Sequence, residues 1–386
     1  MNGDPKILLN PRHGVPGVIV LPAGGFRRAK AAITAWPGYA PAPLHDLAEL
    51  AAEAGIAVLR LTGEGGRFGL GSFKALGGAY AVGLLLSAEL SRRGVAVSAP
   101  ADALEAGRYR DVTGTITVAC ATDGNHGRSV ARGAQRFHCR CVIFVHETVS
   151  QGRVDAIAAF GAEVVRVPGT YDDAVREADR RARAAGWFVV SDTSRAGYTE
   201  VPRDIMQGYR LMADEAADQW SGEPPTHVFI QAGVGGAAAA VSVQIRARFG
   251  TAPRLVVVEP EQAACLFASA GAGTPTAVRG ELDTIMAGLA CGEPSLLAWQ
   301  ELERAAFAFM TIPDQAAIDS LRRLARIGLP MGESGVAGLA GLLLAASDTT
   351  VRETLSLTAA SRVLCFGTEG VTDPSTYKKL ADTDWR

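Results

Sequence analysis

The chain has no CxxC pair and no HExxH run, and its six histidines are scattered, so the usual spacings of a structural or catalytic metal are missing. No metal is expected. The six cysteines, Cys120, Cys139, Cys141, Cys265, Cys291 and Cys365, read as small buried thiols of a reducing compartment. Charge of one sign is lacking too. A net charge of −2 over 386 residues gives no footprint for nucleic acid or for an anionic membrane. Apolar runs such as "AGLAGLLLAA" (337–346) are too short to span a bilayer, and "MNGDPKILLNPRHG" lacks a signal-peptide core. The expectation is a cytoplasmic protein with no membrane partner. No repeat period and no disordered linker is visible.

What is present is a well-packed, enzyme-sized composition, 48% hydrophobic and 20% charged. Short β-branched runs alternate with alanine-rich helical stretches almost from end to end. The strand candidates are 56–62, 115–121, 140–146, 163–168, 187–192, 227–232, 254–259 and 362–367. Helical patterns fill 43–55, 171–186 and 314–328. Strands apolar throughout, separated by helices, predict an α/β fold of mostly parallel, helix-covered sheets. The four closely spaced strands between about 115 and 192 suit a smaller sheet of their own, and "SGEPPT" (221–226) is the clearest break.

Three stretches carry chemistry. In "THVFIQAGVGGAAAAVSVQIRARFG" a strand runs through a glycine loop into a helix opening near Ala237. Such a loop presents backbone N–H groups at the positive end of a helix, a cradle for phosphate. The spacing Gly233-x-Gly235-x-x-Ala238, with Glu259 ending the next strand, also fits a relaxed dinucleotide fingerprint. Small residues for a tight turn would give the same pattern, so the loop alone leaves all three readings open. In "ACATDGNHGRSVARGAQRFH" (119–138) a strand ends near Ala121, and Asp123-Gly124-Asn125-His126-Gly127 turn into a helix. Polar residues at the carboxyl end of a parallel strand face a ligand crevice, although Asn and Asp also serve as caps.

The third is "RFGLGSFKALGGAY", where Lys74 sits among glycines and apolar residues with no acid within several positions. A lysine kept from solvent has its pKa lowered and becomes a usable amine nucleophile. The glycines at 69, 71, 77 and 78 would let a flat ring approach the backbone. By itself Lys74 reads as a solvated residue at a helix start. An amine, a phosphate cradle and a polar turn together are what pyridoxal phosphate requires.

"GSFKALGGA" resembles the cofactor-lysine motif of the fold type II pyridoxal-phosphate enzymes, the tryptophan synthase β and threonine dehydratase group. The set "RFGLGSFKALGG", "ATDGNHGRSVA", "SDTSRAGYTEVPRDIMQGY", "AGVGG", "MGESGVAGL" and "FGTEGVTDP", from about residue 40 to 374, resembles the diaminopropionate ammonia-lyase family. The resemblance implies a larger domain from both chain ends (1–90 plus 205–386) and a small mobile domain (91–204), with the cofactor between them, commonly in a homodimer. It implies that Lys74, after Phe73, carries pyridoxal 5'-phosphate and that Asn125 bonds the ring hydroxyl. Backbone N–H groups of Gly233, Val234, Gly235, Gly236 and Ala237 would hold the phosphate, and Thr368 would meet the pyridine nitrogen with a hydroxyl. Asp123 and Asp192 would assist proton transfer, one for each substrate enantiomer. The implied reaction is α,β-elimination of ammonia from 2,3-diaminopropionate or a related β-substituted amino acid, giving pyruvate and ammonia through an aminoacrylate.

The chain departs from that pattern in places. Ser194-Arg195-Ala196 replaces the family's Ala-Trp-Glu run, Val371 stands where an acid is usual, and Ser72 where alanine is more frequent. Arg195, if turned inward, would favour a carboxylate- or phosphate-bearing side chain. A dehydratase or β-replacement enzyme of the same fold, acting on a hydroxy, acylated or acidic amino acid, therefore stays in play. A nicotinamide-dependent oxidoreductase built on the Gly233 loop is more remote, and a non-catalytic binding protein would have no need of Lys74.

Overall fold

In a computed structural model, residues 5–96, 101–122 and 124–381 are described. They fall into two compact units. One comprises the described parts of Met1–Pro22, Ala40–Phe73 and Arg210–Arg386; the other comprises Ala23–Tyr39 and the described parts of Lys74–Tyr209.

The first unit holds a seven-stranded sheet. Its strands are β1 (Lys6–Leu9), β2 (Leu44–Asp46), β3 (Val58–Gly63), β8 (His227–Gln231), β9 (Arg254–Pro260), β10 (Ala308–Ile312) and β11 (Arg362–Gly367). The order is β1-β10-β9-β8-β11-β3-β2, parallel in the middle with antiparallel edges at β1 and β2. β8 and β10 are buried along their whole length, as their mainly apolar sequences "HVFIQ" and "AFMTI" suit. The second unit holds a parallel four-stranded sheet of β4 (Thr117–Ala121), β5 (Arg140–His146), β6 (Glu163–Val167) and β7 (Phe188–Val189), in the order β6-β5-β4-β7.

β5 and β11 match the runs seen in the sequence end to end, and the other expected strands shift by a few residues. Three strands were not anticipated: β1, β2 and β10. β10 follows the helix Leu296–Ala305 without a strong breaker, so its run blends into a helical pattern. The helical stretch 43–55 is corrected: its start is the edge strand β2, and only Ala48–Glu53 is helix. Residues 74–90, expected with the larger domain, cluster with the middle of the chain, because the helix Gly78–Arg92 packs on the helix Asn125–Arg136. A β-carbon on Gly133 would lie 2.7 Å from Ala79 Cα, so small residues let these two helices meet. Phe73–Arg92 is long and apolar enough to cross a membrane by composition, but 67% of it is buried inside the protein, as in a core helix.

Local rules set several ends. Thr170 and Asp173 form a reciprocal capping box on the helix Tyr171–Ala185, and Gly186 ends it in the left-handed region. Ser150 caps Gln151–Ala158. In the first unit a charged triad is buried where the chain leaves β3. Arg67 donates to Glu64 Oε2 (2.9 Å) and Oε1 (3.0 Å), to Glu215 Oε2 (2.5 Å) and to Ala40 O (2.9 Å), with all three side chains at most 4% exposed. Burial acts first on the Glu64 carboxyl and pushes it above the ordinary range, although Arg67 opposes this. The triad anchors the irregular segment Glu64–Gly69 that leads toward Phe73.

Removing the shared cation would strand two carboxylates away from water. We expect Arg67→Ala to lose about 3–5 kcal/mol of stability, read as an earlier midpoint in urea unfolding; a loss below about 1 kcal/mol would show the triad to be solvated.

Candidate active site

Lys74 lies in the single turn Phe73–Leu76, its side chain 21% exposed. The expectation of a lysine without an acid nearby is corrected: its ammonium donates to Asp192 Oδ2, 118 residues away in the chain. The small sheet brings that acid in. β7 pairs with β4 through Val118–Phe188 and Ala119–Val189, and Val190 N continues the ladder to Ala119 O at 2.8 Å. Asp192 thus emerges at the carboxyl end of β4, where Cys120 also lies near both charges. Burial opposes ionisation of Asp192, but Lys74, then His126, and hydrogen bonding outweigh it, and the carboxyl is held well below its ordinary range. His126, 4% exposed, places Nε2 2.8 Å from Val190 O and Nδ1 4.0 Å from Asp192 Oδ2. A carbonyl can only accept, so Nε2 carries the proton.

The turn before the helix Asn125–Arg136 is tied by Thr122, whose hydroxyl accepts from Gly124 N (3.0 Å) and Gly127 N (3.1 Å). Gly124 has φ 150°, a conformation that side chains resist. Asn125 is the first, half-buried residue of that helix; Asp123 lies outside the described residues. Gly77 and Gly78 have a packing reason in place of the expected approach of a ring. A β-carbon on Gly77 would meet Tyr209 Cε1 at 2.5 Å and Ile205 Cγ2 at 2.7 Å, and one on Gly78 would meet Ser129 Oγ at 2.7 Å. Gly69 and Gly71 take positive φ.

The first unit carries the glycine loop. β8 ends at Gln231, Gly233 and Val234 follow, and Gly235 (φ 93°) precedes the helix Gly236–Phe249. No side chain caps that helix start, so its first-turn N–H groups are suited to an anion. Packing constrains the loop as well: β-carbons on Gly233 and Gly235 would reach Cys291 Sγ and Ala298 Cβ at 3.0 Å each. Ala237 continues the helix from Gly236. Just after β11, Thr368 is 4% exposed, and its hydroxyl lies 2.7 Å from Gln231 Nε2. The same amide reaches Gly335 O (2.7 Å) and Phe366 O (2.9 Å). Phe73, buried, donates its backbone N–H to Thr368 O at 3.0 Å.

Two sequence readings are corrected here. Glu259 is no ribose ligand: its two oxygens accept from Leu266 N (2.8 Å) and Phe267 N (2.7 Å), capping the helix Cys265–Ala272. The nicotinamide reading thereby loses its acid. Arg195 pairs with Asp179 on the surface and lies over the Tyr198 ring at 5.2 Å, so it is held by its own unit. Four residues here had no role in the sequence reading: Thr122, His126, Tyr209 and Gln231. The first two sit inside the recognised turn and Gln231 ends the strand before the glycine loop, whereas Tyr209 has no local signal.

The family model described as "Pyridoxal-phosphate dependent enzyme" matches residues 35–363. The diaminopropionate ammonia-lyase of Salmonella typhimurium is 38% identical over 360 residues, 89% of this chain and 88% of that protein. The Escherichia coli diaminopropionate ammonia-lyase solved in complex with D-serine superimposes with TM-score 0.89 at 33% identity, covering 98% of this chain and 97% of that one. The same enzyme solved with an aminoacrylate-PLP azomethine reaction intermediate gives TM-score 0.87 at 35% identity, with the same coverage. A half-buried amine paired to an acid, an uncapped helix start after a glycine loop and a buried hydroxyl after β11 are thus features of a chain that belongs to the pyridoxal-phosphate dependent enzyme family.

Proposed function

We propose that this chain is a pyridoxal 5'-phosphate-dependent ammonia-lyase that removes ammonia from 2,3-diaminopropionate or a closely related β-substituted amino acid. The observation that carries the reading is the Lys74–Asp192 pair: an amine and an ionised carboxylate held together at the end of β4, beside the Asn125 turn. The similarity to diaminopropionate ammonia-lyases over most of the chain supports the substrate class.

The donor sets fit the cofactor. Lys74 offers the one chemistry an aldehyde needs, a primary amine. The 233–237 backbone suits the phosphate, Asn125 the ring hydroxyl, and Thr368 the ring nitrogen. A neutral hydroxyl would not force that nitrogen to stay protonated, which would favour loss of a β leaving group over transamination. When bound, pyridoxal phosphate supplies the electron sink that makes a substrate Cα–H acidic.

The chain's own groups do the rest. Asp192 is anionic through the neutral range, so it attracts a substrate ammonium and accepts or returns its proton. Lys74 or an aspartate takes the Cα proton, with Asp123 and Asp192 each suited to one enantiomer. The Cα–H and Cβ–N bonds break, the β-amino group leaves with a proton as ammonia, and water converts the released enamine to pyruvate and a second ammonia. The acidic-substrate alternative rested on Arg195, which Asp179 occupies. We also read the protein as a cytoplasmic homodimer, as members of the group commonly are; sedimentation velocity would show a dimer or a monomer.

The decisive test is a near-visible spectrum of the purified protein, followed by 2,3-diaminopropionate with pyruvate assayed. A yellow protein that forms pyruvate is expected; one that stays colourless with added pyridoxal phosphate overturns the proposal. Lys74→Ala should lose both the absorbance and turnover while still folding, as an unchanged far-ultraviolet circular dichroism spectrum would show. Asp192→Asn should slow one enantiomer on the order of a hundredfold and the other far less; equal losses would end the division of labour. Arg195→Ala should leave kcat and KM within about twofold, as for an exposed surface pair, and a large rise in KM would return Arg195 to the substrate.

A further inference from the structure

Asp192 follows the short strand β7, which ends the sheet order β6-β5-β4-β7, so among the described residues no strand lies beyond it. Val190 N donates to Ala119 O at 2.8 Å, so the amide and carbonyl of Val190 face β4. Those of Val189 and Ser191 then face the opposite, outer edge. One side-chain atom stands there in place of a further strand. The Tyr198 hydroxyl donates to Val189 O at 2.8 Å and accepts from Ser191 N at 3.0 Å. A tight reversal of the chain delivers it: Arg195 N donates to Tyr198 O (3.1 Å) and Tyr198 N to Arg195 O (2.9 Å), with Gly197 at φ 77° between them. The Arg195 guanidinium lies over the ring at 5.2 Å and pairs with Asp179. On the inner edge His126 Nε2 binds Val190 O at 2.8 Å. Val189 O, Val190 N, Val190 O and Ser191 N, the backbone groups that lead into Asp192, are thus all held.

We propose that Tyr198 is a positioning residue for the reaction: its hydroxyl fixes the outer edge of the chain at 189–191 and so sets where the Asp192 carboxylate stands beside Lys74. That role rests on the proposed function; the hydrogen bonds themselves do not. An aspartate has a single methylene, so its carboxylate follows its backbone closely. A catalytic group displaced by about 1 Å loses on the order of a hundredfold in rate. The Lys74 pair alone cannot hold Asp192 in place, because Lys74 must change partners during turnover. A backbone clamp persists when that charge leaves. Burial is the largest influence on the phenol and pushes its pKa well above the ordinary value, so it stays neutral and keeps the proton that it gives to Val189 O. Arg195 covers the face of the ring, whereas the backbone pair between 195 and 198 holds the ring at its root and needs no particular side chain at 195.

The test is Tyr198→Phe, which keeps the ring and removes only the hydroxyl. The first readout is independent of turnover: amide hydrogen exchange across residues 188–193, followed by mass spectrometry in the full chain. Ser191 N–H loses its acceptor, so its exchange should quicken about tenfold. Unchanged exchange overturns the inference whatever the activity. In the loaded enzyme, kcat for the enantiomer that Asp192→Asn slows most should fall about tenfold. Its KM, and kcat for the other enantiomer, should stay within about twofold. Faster exchange with equal losses on both enantiomers, or with none, shows a merely structural hydrogen bond; it overturns the positioning role and leaves the proposed function standing. A parent protein that forms pyruvate from neither enantiomer overturns the proposed function and the positioning role together, while the exchange rates still report the clamp. If Tyr198→Phe does not fold, 4-aminophenylalanine and 4-methylphenylalanine at 198 fill the same space, and only the amine can donate to Val189 O. An enantiomer ratio kept by the amine and altered by the methyl group supports the proposal, and one ratio for both refutes it.

Discussion

The organisation around Lys74 depends on one electrostatic constraint. An amine that is four-fifths covered cannot hold its charge without a partner, and Asp192 supplies it. Meeting that need takes a whole parallel sheet. β7 must dock on β4 in register, Val190 must extend the ladder, and the chain must then stop being a strand so that Asp192 can turn toward the turn at Phe73–Leu76. His126 braces the same point by binding Val190 O with one ring nitrogen and facing Asp192 with the other. Few residues take part, and each is fixed by backbone, which gives a rigid amine–acid pair.

A different constraint shapes the other unit, where close backbone approach does the positioning. A β-carbon on Gly335 would meet Glu369 N at 2.9 Å, and one on Gly370 would meet Gly65 Cα at 2.8 Å. The loops after β3 and β11 therefore lie against each other and against the 332–335 loop without side chains between them. Gln231 locks the arrangement by spanning Gly335 O, Phe366 O and the Thr368 hydroxyl. Thr368 is consequently a neutral, oriented group rather than a mobile one, as recognition of an uncharged ring nitrogen would need.

The departures from the family pattern look different once the fold is known. Arg195 could have recast the substrate as an acid, but Asp179 on the helix Tyr171–Ala185 is its partner and the nearby ring of Tyr198 its platform. Ser72 is buried and bridges to Glu369 in the backbone, so it serves the loop contact in the first unit. Neither change alters the amine, the acid beside it or the glycine loop.

The sequence by itself determined the elements whose cues are local. β5 and β11 have continuous apolar centres, the helix Tyr171–Ala185 has its capping box, and the glycine loop stands between a strand and a helix. It also singled out Lys74, Asn125, the 233–237 loop and Thr368, because their motifs are contiguous. Only the tertiary structure decided which acid meets Lys74, because pairing across 118 residues leaves no periodicity to read. The same is true of the place of Tyr209, where Gly77 and Gly208 let a helix sit on the lysine turn. Edge strand β2 and strand β10 were hidden for a related reason: one is three residues long and the other follows a helix without a break, so pairing in the sheet alone makes them strands. Glu259 and Arg195 show the converse. Their residue types invited a ligand, and their neighbours in space, two backbone N–H groups and one aspartate, had already taken them.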